Sequence, residues 1–237
     1  MEFQLKYLDL TYAHDLHTLK LINAEGDNTF TTAVMEEYLL AFERIEQHRG
    51  NTALLITCDH HKTFSTGINL AWLQDQDKAG QQAFEQAFNR VMCRLASLDV
   101  PTVACINGNA YAGGAILAAA ADFRLMRADR GRFCLPEVNI KIPFTPISND
   151  IVHLLPNKQA LKTMMLTGIA YTGEECLARD IVDELHPQTE LQQAARAMAT
   201  MLAAKDRATY TTIRNGMREH ILQHLKTLNA PAVKSIM

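Results

Sequence analysis

The sequence predicts an α/β fold with parallel strands and a helical C-terminal region, and three observations carry that prediction. Short, continuous apolar runs at 53–58, 102–106 and 123–126 are separated by stretches of helical periodicity. A strand without polar alternation is covered on both faces, as parallel strands between helices are. Beyond residue 150 the pattern turns helical, at 157–167, 173–179, 189–204 and 206–226. The third is size: 237 residues, 48% hydrophobic and 21% charged, suffice for one large core. No low-complexity linker or internal repeat interrupts the chain. We read one domain, with an α/β core over 1–185 and a helical C-terminal region of the same domain over 186–237.

Residues 3–12 and 16–23 alternate as two strands, with His14-Asp15 as the turn between them. Over 31–47, Val34, Tyr38, Phe42 and Ile45 recur on one helical face, joined by Met35 and Leu39. Thr31 is placed to cap that helix and Gly50 to end it. The buried strand 53–58 is followed by a loop through 64–70. Residues 81–97 form the next helix, with Phe84, Phe88, Val91, Met92 and Leu95 on its apolar side. Pro101 opens the strand 102–106, a glycine turn leads into a small-residue helix at 113–120, and 123–126 is a third buried strand.

Charge and cysteine usage exclude several classes. Lys plus Arg number 23 and Asp plus Glu 26, a formal charge of −3 with no basic run, so nucleic acid is not the expected ligand. The N-terminal MEFQLKYLDL is neither a signal nor a transit peptide, and no apolar run reaches membrane-spanning length. A cytoplasmic protein is expected. The five cysteines are odd in number and form no C-x-x-C pair, which favours inert thiols in a reducing compartment. His60-His61 is adjacent rather than four apart, and no metal-ligand spacing occurs, so no metal is expected.

Three short segments could carry chemistry. Phe64-Ser65-Thr66-Gly67-Ile68-Asn69-Leu70 follows a buried strand. Ile106-Asn107-Gly108-Asn109-Ala110-Tyr111-Ala112-Gly113-Gly114 joins a strand to a helix. Leu135-Pro136-Glu137-Val138 holds an isolated acid with Phe133, Leu135, Val138 and Ile140 as neighbours. The second segment lacks the Lys-Ser/Thr of a phosphate loop and is not a G-x-G-x-x-G fingerprint. What remains is a glycine pair at a helix N-terminus, where free amides point outward with the positive end of the dipole. Two readings stand: an oxyanion site at the Gly113 amide, or glycines needed only for close helix–strand packing.

Taken together the segments resemble the crotonase superfamily of enoyl-CoA hydratases and isomerases. Its Phe-Ser-x-Gly-x-Asp-Leu signature is matched over 64–70, with Asn69 in place of the acid. Its Ile-Asn-Gly-x-Ala-x-x-Gly-Gly signature is matched over 106–114, and its Pro-Glu motif over 136–143, with Lys141 where glycine stands. Thr167-Gly168 and Ile181-Val182-Asp183 fit a further stretch. The resemblance implies a ClpP/crotonase-type spiral of ββα units whose C-terminal helices make subunit contacts in a homotrimer or dimer of trimers. It implies an acyl-CoA substrate, with coenzyme A arriving as part of that substrate and no other cofactor. The oxyanion amides would be those of Ile68 and Gly113. Ser65, Thr66 and Gly67 would face the CoA moiety through the main chain, and Ile116 would line the substrate site.

The reaction follows from the acids. Hydratases of this superfamily use two glutamates; here one position is Glu137 and the other is Ile116. A single base suits a double-bond shift in a 3-enoyl thioester, with the enolate held by two preorganised amides. An apolar pocket would raise the pKa of a lone carboxyl, as a proton shuttle near neutral pH needs. The stretches Leu70-Ala71-Trp72 and 126–131 resemble the Δ3,Δ2-enoyl-CoA isomerase branch. Alternatives are a hydratase with a relocated second acid and a non-catalytic acyl-CoA- or protein-binding member of the fold. Lys141 is expected in solvent.

Overall fold

The computed structural model describes residues 5–23 and 26–229. The start of the expected strand 3–12 and the end of the region 186–237 therefore lie outside the described residues.

β1 (Leu8–Ala13) and β2 (Leu16–Leu21) form an antiparallel hairpin in register from Leu8↔Leu21 to Ala13↔Leu16. That register leaves two residues to turn the chain. His14 and Asp15 both take positive φ (51° and 58°), the backbone of the hairpin turns that match strand twist. α1 (Thr32–Glu46) is capped by the Thr31 hydroxyl, which accepts from Val34 N at 3.4 Å. It buries Val34, Met35, Tyr38, Phe42 and Ile45, while Leu39 is only half-buried. Full burial of such a side chain is worth about 1.5–3 kcal/mol, so this face fixes the helix on the sheet. Gly50 lies in the turn after the helix rather than at its end, which is Glu46.

The rest of the chain repeats a unit in which one strand joins a large sheet, the next a small sheet, and a helix returns. β3 (Ala53–Cys58) pairs parallel with β2, then β4 (Thr63–Ser65) starts the small sheet, and α2 (Leu70–Gln74) and α3 (Lys78–Ser97) follow. β5 (Thr102–Ile106), β6 (Asn109–Tyr111) and α4 (Gly113–Ala120) form the next unit. β7 (Phe123–Arg127) and β8 (Arg132–Cys134) lead into α5 (Glu137–Ile140), α6 (Pro146–Val152) and α7 (Lys158–Thr167). β9 (Ala170–Thr172), α8 (Gly173–Leu177) and β10 (Glu184–His186) complete the sheets, in the orders β1-β2-β3-β5-β7-β10 and β4-β6-β8-β9. This is the expected spiral of ββα units. α4 is buried along its whole length, which is why its residues are Gly, Ala, Ile and Leu. α3 begins at Lys78 rather than 81, because Asp77 caps it, accepting from Gly80 N at 2.7 Å.

The C-terminal helices pack on their own chain. α9 (Gln188–Ala203) lays Leu191, Ala195, Ala199 and Leu202 over Leu55, Val103, Cys105 and Leu125 of the large sheet. The expected helix 206–226 is two, α10 (Arg207–Met217) and α11 (Glu219–Asn229), broken at Arg218. Arg218 turns inward: its Nη1 lies 3.0 Å from Asp122 Oδ1 and donates to Ala96 O at 2.8 Å. Arg214 donates to the carbonyls of Val100 and Leu98 and sits 3.5 Å from the same carboxylate. Periodicity shows a continuous amphipathic pattern there; a buried charge cluster decides the break. α11 packs against α3 and α6, with Ile221 fully buried.

Candidate active site

The loop after β4 and the loop after β6 meet over their glycines. Gly67 takes φ +80°, and a Cβ on it would lie 2.4 Å from Gly113 N. Side-chain absence there is what lets one loop rest on the amide of the other. A Cβ on Gly114 would lie 2.2 Å from Ser65 O. The two readings of the glycine pair are thus divided between its members: Gly114 serves close packing, and Gly113 presents an amide.

That amide is free for a helical reason. Gly113 is the first residue of α4, where no carbonyl one turn earlier can accept. Its predecessor Ala112 is held at φ 49° and ψ −123°, a costly conformation for a residue with a Cβ, and its N donates to Cys134 O at 3.0 Å. Ile68 is free for a strand reason. Phe30 N donates to Gly67 O at 2.8 Å and Asn69 N to Phe30 O at 3.0 Å, which turns the Ile68 N–H to the opposite side. Among the described residues neither the Ile68 nor the Gly113 amide has an acceptor.

Both residues line a cavity of about 830 Å³. Ile116 stands one turn beyond Gly113 on the same face of α4, is 4% exposed, and lines it too. Phe84 and Phe88 of α3 complete the apolar floor, and Lys78, Gln81, Gln82 and Glu85 stand exposed at the mouth. Glu137 opens α5 and reaches this cavity while only 6% exposed. Its Oε2 has no hydrogen-bond partner among the described residues. Burial pushes its carboxyl up to about 7, opposed by its own backbone amide. Of the apolar neighbours expected around it, Phe133 and Leu135 are fully enclosed, while Val138 and Ile140 are exposed, Ile140 still lining the cavity with Glu137.

The other expected site residues divide. Thr66 lines the cavity and Gly67 makes the loop contact. Ser65 is fully buried and does not reach the cavity: its Oγ donates to Asn28 O at 2.8 Å and accepts from Gly67 N at 3.1 Å. It shapes the loop from beneath. Asn28, which sequence reasoning passed over, works with it, donating from Nδ2 to Phe64 O at 2.9 Å while 2% exposed. An isolated asparagine between strand and helix gives no periodic signal. Asn69 caps α2, its Oδ1 accepting from Trp72 N at 3.0 Å, a task asparagine performs as well as aspartate. Lys141 is exposed and sits at φ 61°, the left-handed conformation that glycine adopts most cheaply.

Comparison with known proteins fits this geometry. The family model of the enoyl-CoA hydratase/isomerases matches residues 13–232.

The chain belongs to that family.

Enoyl-CoA delta isomerase 3 of Arabidopsis thaliana is 32% identical over 211 residues, covering 86% of this chain and 88% of the relative. The peroxisomal enoyl-CoA delta isomerase 2 of the same plant is 30% identical, with 86% and 88% covered. Carnitinyl-CoA dehydratase of Salmonella typhi is 31% identical, over 78% of this chain and 69% of the relative. Among solved structures, human mitochondrial Δ3,Δ2-enoyl-CoA isomerase superposes with a TM-score of 0.85 at 21% identity, covering 94% and 87%. That likeness shows the crotonase fold. Among the described residues no helix is long and apolar enough to cross a membrane.

Proposed function

We propose that this member of the family is a Δ3,Δ2-enoyl-CoA isomerase with Glu137 as its single acid–base group. The observation that carries the reading is one buried, unpartnered carboxylate facing the cavity, with Ile116 where a second acid would stand. The thioester oxygen of a 3-enoyl-CoA lies between the Ile68 and Gly113 amides. Glu137 takes a proton from C2, and the electron pair moves onto the carbonyl oxygen as the enolate forms. The amides, fixed beforehand by β6, α4 and the Phe30 bridge, stabilise that charge more than the neutral ester. The protonated Glu137 then returns the proton to C4, leaving the double bond at C2–C3. A carboxyl at about 7 is near its balance point for both transfers. Ile116 keeps water from the face that hydration would need.

The coenzyme A portion is assigned to the exposed mouth near Thr66 and α3, and the acyl chain to the apolar floor. A homotrimer or dimer of trimers in the cytoplasm remains our reading of assembly and location. The five cysteines, all buried and unpaired, suit a reducing compartment. The test is a spectrophotometric one. Conjugation should appear when a 3-enoyl-CoA is added and persist with a 2-enoyl-CoA. Loss of conjugation from the 2-enoyl ester favours hydration, the reading supported by the dehydratase relative. Binding heat without any absorbance change favours a non-catalytic binder. Glu137→Gln should bind the ester and lose about 10²–10⁴ in kcat, and full activity would overturn the assignment.

A further inference from the structure

The loop that carries the Ile68 amide rests on residues 27–30, the link between β2 and α1. The polar groups of that link engage 63–69 one residue after another. Thr63 Oγ1 donates to Asp27 Oδ1 at 3.0 Å, Asn28 Nδ2 to Phe64 O at 2.9 Å, and Ser65 Oγ to Asn28 O at 2.8 Å. Thr66 N donates to Asp27 O at 3.2 Å, Phe30 N to Gly67 O at 2.8 Å, and Asn69 N to Phe30 O at 3.0 Å. Among the described residues of 63–69, Ile68 alone makes no hydrogen bond to the link, and it is Ile68 that lines the cavity with its amide unpaired.

Stability does not explain the Asn28 side chain. Asn28 is 2% exposed, and its Oδ1 has no partner among the described residues. The net gain from one hydrogen bond is smaller than the penalty of one unsatisfied buried oxygen. Without the side chain, Phe64 O would stand unpaired in place of Oδ1, so one orphan oxygen is exchanged for another. What changes is geometry. Phe64 lies four residues before Ile68, and Gly67 between them takes φ +80°, the conformation of a pliable joint. Asn28 does not line the cavity and so acts only through the loop.

We infer that Asn28 is a positioning residue for the reaction: its side-chain amide sets the height of the loop and thereby the place of the Ile68 donor. This rests on the reading that the Ile68 and Gly113 amides hold the enolate. Alignment of a donor matters most where the charge is fully developed, so its loss falls on kcat rather than on KM.

Asn28→Gly is the test. It removes the side chain, keeps the carbonyl that Ser65 uses, and suits the φ of 51° found there. Three quantities are measured: turnover of a 3-enoyl-CoA, the thermal midpoint, and the infrared band of an isotope-labelled thioester carbonyl in a bound saturated acyl-CoA. kcat should fall about 10²-fold, the effect of misplacing one donor by about 1 Å, while KM stays within about two-fold. The thermal midpoint should move by less than about 4 °C. The carbonyl band, lowered on binding to the wild type, should return part of the way to its free frequency. Tyr38→Phe is the control. It removes another fully buried, unpartnered polar atom at the same small internal gap as Asn28, and should keep both kcat and the band. Wild-type kcat and band in Asn28→Gly, an equal loss in Tyr38→Phe, or failure of Asn28→Gly to fold overturns the inference and leaves the isomerase reading intact. A lowered band without wild-type turnover overturns the isomerase reading alone, and the band in Asn28→Gly still decides the role of Asn28. A band that binding to the wild type does not lower overturns both.

Discussion

Gly67→Ala is the sharpest test of the proposed oxyanion site. The added Cβ would lie 2.4 Å from Gly113 N, 2.9 Å from its Cα and 3.1 Å from Gly114 N. Non-bonded atoms settle at about 3.5–4.0 Å, so the two loops must part by about 1 Å. The φ of +80° adds strain for any residue with a Cβ, and together with overpacking the change should cost about 2–4 kcal/mol of stability. The catalytic effect should be larger than the structural one. The atom displaced is the donor nitrogen itself, and a shift of about 1 Å can cost a factor of about 10². Loss of one donor altogether costs about 10²–10³ in kcat. Turnover of a 3-enoyl-CoA followed by conjugated-thioester absorbance, beside a denaturant midpoint, separates the two effects. Gly50→Ala is the control: φ is +95° there, yet nothing lies within 4 Å of an added Cβ. It should lose stability from strain alone and keep its turnover. Wild-type turnover in Gly67→Ala, or an equal loss in Gly50→Ala, would refute the reasoning.

Two further outcomes follow from buried charge. Burial raises the Glu137 carboxyl from 4.5 to about 7, so the folded state keeps its proton where the unfolded chain has lost it. Below pH 4.5 both states are protonated; as pH rises to about 7, stability falls, by up to about 3 kcal/mol at 1.36 kcal/mol per unit. Denaturant titrations of wild type and Glu137→Gln across that window should show this slope in the first and not the second, while wild-type kcat/KM rises through a midpoint near 7. Asp122→Ala should destabilise by about 3–5 kcal/mol, since it strands the buried Arg214 and Arg218 guanidinium groups. A midpoint shift worth less than about 1 kcal/mol would show that the cluster does not hold α10 and α11 to the core.

Periodicity and composition determined much of this protein. Val34, Tyr38, Phe42 and Ile45 fix the buried face of α1, and the runs in β3, β5 and β7 fix the parallel sheet, because a core must be covered with apolar surface at the period of each element. Resemblance of the motifs to the crotonase superfamily implied that Ile68, Gly113 and Glu137 share one site, and in the structure all three line one cavity. The short strands β4, β6, β8 and β9 left no such mark, for three residues are too few to establish a period. Only the tertiary structure decided that the Ser65 hydroxyl is held by Asn28 and Gly67, that Asn69 is a cap, and that Val138 lies outside the Glu137 pocket. It alone decided the break at Arg218, because a helical pattern records which face is apolar, not which buried carboxylate waits beneath it. The amides of Ile68 and Gly113 show the division most clearly. Sequence can name the residues, but a backbone N–H is identical in every residue except proline, and its freedom depends on which neighbours leave it unpaired.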